Sequence, residues 1–126
     1  MSARDLYGRR RAAFAPAVDV FYEGEPPRAV VHVELPGVDP NEVTVEVVGR
    51  ELLLSGVRRP PKAEGRLYQQ IEIENGAFRR VIPLGAAVDS TATEATYRDG
   101  ILVITLPLVR EKPTSRRVPI AEQQRS

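Results

Sequence analysis

The chain has no cysteine, a single histidine and almost no net charge: 18 Lys and Arg stand against 17 Asp and Glu, leaving +1 at pH 7. Without cysteine there are no disulfide staples, thiolate metal sites or cysteine nucleophile. With His32 alone, most catalytic triads and histidine-based metal sites lack their parts. The balanced charge argues against a dedicated nucleic-acid binder. No apolar run approaches the ~18 residues of a membrane span, and no basic-then-apolar leader opens the sequence. Stable membrane insertion is therefore not expected, and the expected location is cytoplasmic. A glycine-rich phosphate loop followed by Lys and Ser or Thr is also missing, so nucleotide hydrolysis is not expected to drive any activity. Neither a cofactor nor a metal is expected, and the chain is not read as an enzyme. Glu72 and Glu74 alternate along one stretch, but nothing nearby completes an acid–base pair.

What is present is ordinary for one soluble domain: 126 residues, 42% apolar and 28% charged. A chain of this size buries roughly two thirds of its surface. Residues 1–16 form a basic arm in which Arg4, Arg9, Arg10 and Arg11 are interleaved with Leu6, Tyr7 and Phe14. That mixture suits an apolar contact with other proteins better than nucleic acid or lipid, because Asp5 and the near-neutral whole weaken the electrostatic case. From residue 17 to 107 apolar and polar residues alternate between turn residues, the pattern of an all-β domain. Eight strands are expected, at Ala17–Phe21, Arg28–Leu35, Glu42–Val48, Leu52–Leu54, Leu67–Glu74, Phe78–Leu84, Thr91–Tyr97 and Ile101–Ile104. Tight turns are expected at Gly49-Arg50, Asn75-Gly76 and Asp99-Gly100, where positive φ is needed. The unbroken apolar run of the last strand suits a strand covered on both faces, and His32 belongs on the polar face of its strand. The spacing points to a β-sandwich. Residues 108–126 are rich in charge and proline and read as a flexible extension. An isolated apolar tripeptide, Val118-Pro119-Ile120, interrupts it.

Four landmarks in order carry a resemblance: Leu35-Pro36-Gly37-Val38; Gly76-Ala77-Phe78-Arg79-Arg80; Ala95 through Leu102 with its Asp99-Gly100; and Val118-Pro119-Ile120. The set resembles the small heat shock proteins, the Hsp20 or α-crystallin family, over residues 17–107 and the tail. The resemblance implies an immunoglobulin-like sandwich (an α-crystallin domain), homodimers that assemble further, and ATP-independent holding of unfolding proteins. Two departures stand out. The arm is shorter than in many members, and Leu84-Gly85 with an earlier Pro83 replaces the usual Leu-Pro.

Proline holds its segment extended, so Val118 and Ile120 project as a pair flanking Pro119. The residues alone leave two readings open, paired knobs for a groove or an apolar triplet in a polar tail; the resemblance implies the knobs. It also implies a receiving groove between Val43–Val48 and Thr91–Tyr97, with Val43, Val45, Val47, Thr93 and Ala95 as lining, each of which equally suits plain sandwich core. The stretch carrying Leu67, Gln69, Ile71 and Ile73 on one face follows a long excursion through Pro60-Pro61. The resemblance implies that it crosses to a partner and pairs with Asp19, Val20, Phe21 and Tyr22. The plainer reading is an intramolecular hairpin through Asn75-Gly76. Arg80 matches an arginine the family places at its dimer contact, against the simpler reading of a solvated strand arginine. An adaptor of the p23 type is the alternative function, and such adaptors lack the Val-Pro-Ile tail.

Overall fold

The computed structural model describes residues 14–109 and 117–122. The arginines of the basic arm, with Leu6 and Tyr7, lie outside the described residues. Period-two alternation resolves into seven strands among them: β1 (Val18–Glu23), β2 (Arg28–Glu34), β3 (Val43–Val48), β4 (Glu51–Arg58), β5 (Gly76–Pro83), β6 (Glu94–Arg98) and β7 (Ile101–Pro107). They form two antiparallel sheets, one ordered β1-β2-β7-β6 and the other β3-β4-β5. The layers face each other across one core. Val31, Val33 and Leu35 meet Leu52 and Leu54 of β4, Phe78 and Ile82 of β5, and Leu102, Ile104 and Leu106 of β7. Each such side chain contributes roughly 1.5–3 kcal/mol when fully buried. The all-β, immunoglobulin-like sandwich is thus observed.

The short turns follow their residues. Gly49 at φ 59° joins β3 to β4, and Asp99 and Gly100 at φ 53° and 79° join β6 to β7, as a two-residue hairpin turn with both residues at positive φ requires. Gly100 has a second constraint, since a Cβ there would stand 3.1 Å from the Pro36 Cβ. His32 lies on the outer face of β2, where Phe21 meets its ring edge-on at 5.1 Å.

Four expectations change. The stretch Leu67–Glu74 forms no strand within its own chain, and Asn75-Gly76 turns no hairpin, because Gly76 already pairs with Arg58 as the first residue of β5. The strand expected at Thr91–Tyr97 starts only at Glu94. Asp89 accepts a hydrogen bond from the Thr91 N–H at 3.0 Å and caps a single 3-10 turn over Ser90–Ala92. β4 runs on through Ser55-Gly56 to Arg58. Gly56 does not break it, because the ring of Phe78 fills the space a side chain would take: a Cβ would stand 2.6 Å from that ring and 2.7 Å from the Glu42 carbonyl. Finally, β7 is buried only on the face of Leu102, Ile104 and Leu106; Ile101, Val103 and Thr105 are half-covered.

The free edge of β5 is protected by sequence. Phe14 donates its N–H to the Ala77 carbonyl at 3.4 Å, while Leu84 donates to the Arg50 carbonyl at 2.8 Å. In an antiparallel ladder the N–H and C=O of one residue point the same way, alternating along the strand. Residues 77, 79, 81 and 83 therefore face outward. Pro83 falls on that outward set and removes a donor from an open edge without costing a ladder bond.

Candidate functional site

β3 and β6 are edge strands of different sheets, so they leave a groove where the sandwich is open at one side. Alternation turns Val45 and Val47 of β3 inward, where they are half-buried against the core, and Thr44 and Glu46 outward. On the other wall Thr93 ends the 3-10 turn and Ala95 follows on β6. Val45, Val47, Ser90, Thr93, Glu94 and Ala95 line a shallow cavity of about 240 Å³. Thr93 is apolar in effect. Its hydroxyl donates to the Asp89 carbonyl at 2.8 Å, which satisfies its polar atom and leaves the methyl group for the groove. The same Asp89 carboxylate accepts from the Thr91 hydroxyl at 2.7 Å and from the Thr91 N–H. These bonds hold its pKa below the usual aspartate value, the hydroxyl bond contributing most. One carboxylate thereby fixes the wall that presents Thr93.

The groove gathers four of the five residues expected there. Val43 is the exception: it pairs with Gly56 further along the strand and packs on the core outside the lining. Ser90 and Glu94 belong to the lining and were not foreseen. Their signal was the Asp89-Ser90-Thr91 cap, which moves the start of β6 and brings both residues to the groove mouth. Val118 and Ile120 are 71% and 96% exposed, so the tail presents both apolar side chains outward.

The second feature is the excursion 59–75. Leu67, Ile71 and Ile73 are 100%, 72% and 76% exposed, and Gln69 is exposed beside them. Its base is pinned rather than loose. Arg58 donates from Nε to the Glu74 carbonyl at 3.0 Å, again from Nη2 to the same oxygen, and from Nη1 to the Pro36 carbonyl at 3.2 Å. Its guanidinium also stacks over Phe14 at 4.3 Å. Phe14 in turn is buried against Phe78, 5.4 Å between ring centres. β1 is the outer edge of its sheet and carries Asp19, Val20, Phe21 and Tyr22. Val20 and Tyr22 are 38% and 47% exposed, and the Tyr22 hydroxyl accepts the Gly85 N–H at 2.7 Å. Arg80 lies on the core side of β5, between Phe78 and Ile82, and is half-buried. Its Nη1 donates to the Pro16 carbonyl at 2.8 Å, so it is not simply solvated: it braces the junction where the arm enters the sandwich.

Among the described residues, no group of three or more His, Cys, Asp or Glu is placed to hold a metal ion. No helix among them is long and apolar enough to cross a membrane.

Comparison with known proteins bears on this arrangement. The sequence profile of the Hsp20/alpha crystallin family matches residues 23–121. The 18 kDa antigen 2 of Mycobacterium avium is 33% identical over 123 residues, covering 98% of this chain and 86% of the relative. Heat shock protein 16 of Schizosaccharomyces pombe is 34% identical over 110 residues, covering 84% and 75%. Among solved structures, heat shock protein 16.0 from Schizosaccharomyces pombe superposes with a TM-score of 0.68 at 32% identity, over 86% of this chain and 99% of that one. A small heat-shock protein from Xylella fastidiosa, described as having a distinct high-order structure, gives 0.67 at 28% identity over 88% and 100%. With the profile spanning most of the sandwich and reaching past the Val-Pro-Ile segment, the chain belongs to the Hsp20/α-crystallin family of small heat shock proteins.

Proposed function

We propose that this protein is an ATP-independent holdase, which binds unfolding proteins and limits their aggregation, and that its assembly is held by tails docked in neighbouring grooves. The observation that carries the proposal is the pairing of two apolar surfaces in one chain. An apolar-floored groove opens between β3 and β6, and an exposed Val118-Pro119-Ile120 segment follows the sandwich. Burying one Val and one Ile contributes roughly 1.5–3 kcal/mol each, while association and tail ordering cost roughly 4–15 kcal/mol. A single tail therefore binds weakly and exchanges. Several tails in one assembly gain effective concentration and hold it while individual grooves open. A groove that opens and closes on this footing is available to extended apolar segments of clients.

The dimer unit is proposed to form by exchange of Leu67–Glu74 onto the β1 edge of a partner. Leu67, Gln69, Ile71 and Ile73 pair with no strand among the described residues, and Asp19–Tyr22 lies on an edge strand. Backbone pairing there satisfies N–H and C=O groups that otherwise stay unpaired. The experiment is heat-induced aggregation of two unrelated proteins, followed by light scattering without nucleotide. The expected result is suppression of both at near-stoichiometric ratios. Suppression only with ATP, or only of one folded partner, would overturn the holdase reading, the second outcome favouring an adaptor of the p23 type.

A further inference from the structure

The groove is apolar along its floor but not symmetric in charge. Of the residues that line it, Glu94 alone is charged, and it stands at the start of β6 beside Ser90. On the opposite wall the one charged residue of β3, Glu46, alternates away from Val45 and Val47 onto the outer face. Glu94, Thr96 and Arg98 share the outward face of β6, so the strand presents a carboxylate at one end and a guanidinium about 13 Å away at the other. Arg98 stays solvent-exposed, its neighbour Asp99 at 3.5 Å being an exposed pair that costs little to loosen. The tail has the matching polarity. Arg117 precedes Val118-Pro119-Ile120 and Glu122 follows it, about 16 Å apart when extended.

We propose that Glu94 sets the direction in which the tail of a neighbouring copy lies in the groove: Arg117 over Glu94, Glu122 toward Arg98, the tail running parallel to β6. The apolar pair alone is nearly palindromic about Pro119 and does not discriminate between the two directions. The reversed tail puts Glu122 against Glu94 and Arg117 against Arg98, two like-charge contacts in place of two unlike ones. Exposed pairs of this kind change affinity about two- to fivefold. The preference weakens as salt shortens the range of the field. Glu94 is thus a specificity-determining residue: it selects the basic end of an apolar segment for the start of β6 and so sets the direction of docking.

This inference rests on the docking proposed above, and the two fail differently. The full chain carrying Val118→Ala and Ile120→Ala, so that its own tails do not compete, is titrated with the peptide of residues 117–122 bearing a nitroxide label at one end or the other, and amide broadening is read along β6. The expected result is that the N-terminal label broadens Glu94 at least twofold more than Arg98 and the C-terminal label does the reverse. A peptide with its two end charges exchanged should invert the pattern, and Glu94→Lys or 0.5 M salt, with a Debye length of about 4 Å, should remove it. Equal broadening of Glu94 and Arg98 by either label, with binding that Ala95→Glu, a change at an exposed groove position, abolishes, would overturn the polarity and leave docking intact. Binding indifferent to Ala95→Glu places the peptide elsewhere and overturns both.

Discussion

Two stretches of this chain share one pattern and differ in what becomes of it. In β2, Val31 and Val33, with Leu35 just past its end, alternate with polar residues and are fully buried. In the excursion, Leu67, Ile71 and Ile73 follow the same period and are almost fully exposed. Period-two alternation specifies a surface that fits one face of a sheet. It does not specify that the covering face belongs to the same molecule. β2 finds β1 and β7 on its flanks, whereas the excursion leaves from Arg58 and returns at Gly76, two residues already paired with each other. The tail repeats the lesson in miniature at Val118 and Ile120.

The contrast is broken most forcefully by removing the excursion. Since Arg58 and Gly76 are register partners, deleting residues 60–73 leaves a short connection that still closes. The account predicts a folded monomer by light scattering at micromolar concentration, with β-rich circular dichroism retained. A dimer of unchanged mass would locate the interface elsewhere.

Point substitutions sharpen the same contrast. Leu54→Ala, at a fully buried position, should cost about 2–5 kcal/mol in chemical denaturation. Ile71→Ala should leave unfolding of the sandwich within about 0.5 kcal/mol and instead raise the dimer dissociation constant. In the sandwich, Gly100→Val combines φ 79° with the close Pro36 contact. A cost of about 1–3 kcal/mol, read as a fall of several degrees in the thermal midpoint, is expected. Equal sensitivity of the Ile71 and Leu54 positions would erase the distinction between the two regions.

At the tail, Val118→Ala with Ile120→Ala removes on the order of 1–2 kcal/mol per contact. Particles larger than a dimer should dissociate while dimers survive, which sedimentation across a dilution series would reveal; wild-type mass throughout would reduce the tail to a solubilising extension. The smallest effect concerns acid. Asp89 titrates below the ordinary aspartate value because Thr91 bonds its charged form. A depressed folded pKa gives stability that is present above the unfolded value and lost as pH falls through the folded one. The cap over Ser90–Ala92 should therefore loosen only below the usual carboxylate range, seen as a shift of the Thr91 amide resonance that Asp89→Asn abolishes.

Much of the sandwich was legible in the residues. The alternation of β2 and β3 and the Asp99-Gly100 turn report local requirements, backbone period and positive φ, that tertiary contacts did not override. Where local signals misled, a specific contact had outweighed them. Asn75-Gly76 has the composition of a hairpin turn, but Arg58 holds the Glu74 carbonyl and Gly76 opens β5 at φ 108°. The strand expected to stop at Leu54 runs on through Gly56, whose missing Cβ is the room Phe78 needs. Phe14 was hidden in a basic arm although it seals the core beside Phe78 and Arg58. Within the groove, Val45, Val47, Thr93 and Ala95 were identifiable from alternation and resemblance. Glu94 was not, because its place at the mouth depends on where the Asp89 cap ends the 3-10 turn.

The central claim is that the exposed alternating stretch is covered by another copy of the chain, and hydrogen exchange against protein concentration tests it most directly. Amides of β2 should exchange slowly and at the same rate across the series, being protected within one chain. Those of Leu67–Glu74 should be fast at nanomolar concentration and slow by at least tenfold at tens of micromolar, as exchanged strands pair with β1. Rapid exchange of Leu67–Glu74 at every concentration, in a protein that light scattering shows to be dimeric, would contradict the account.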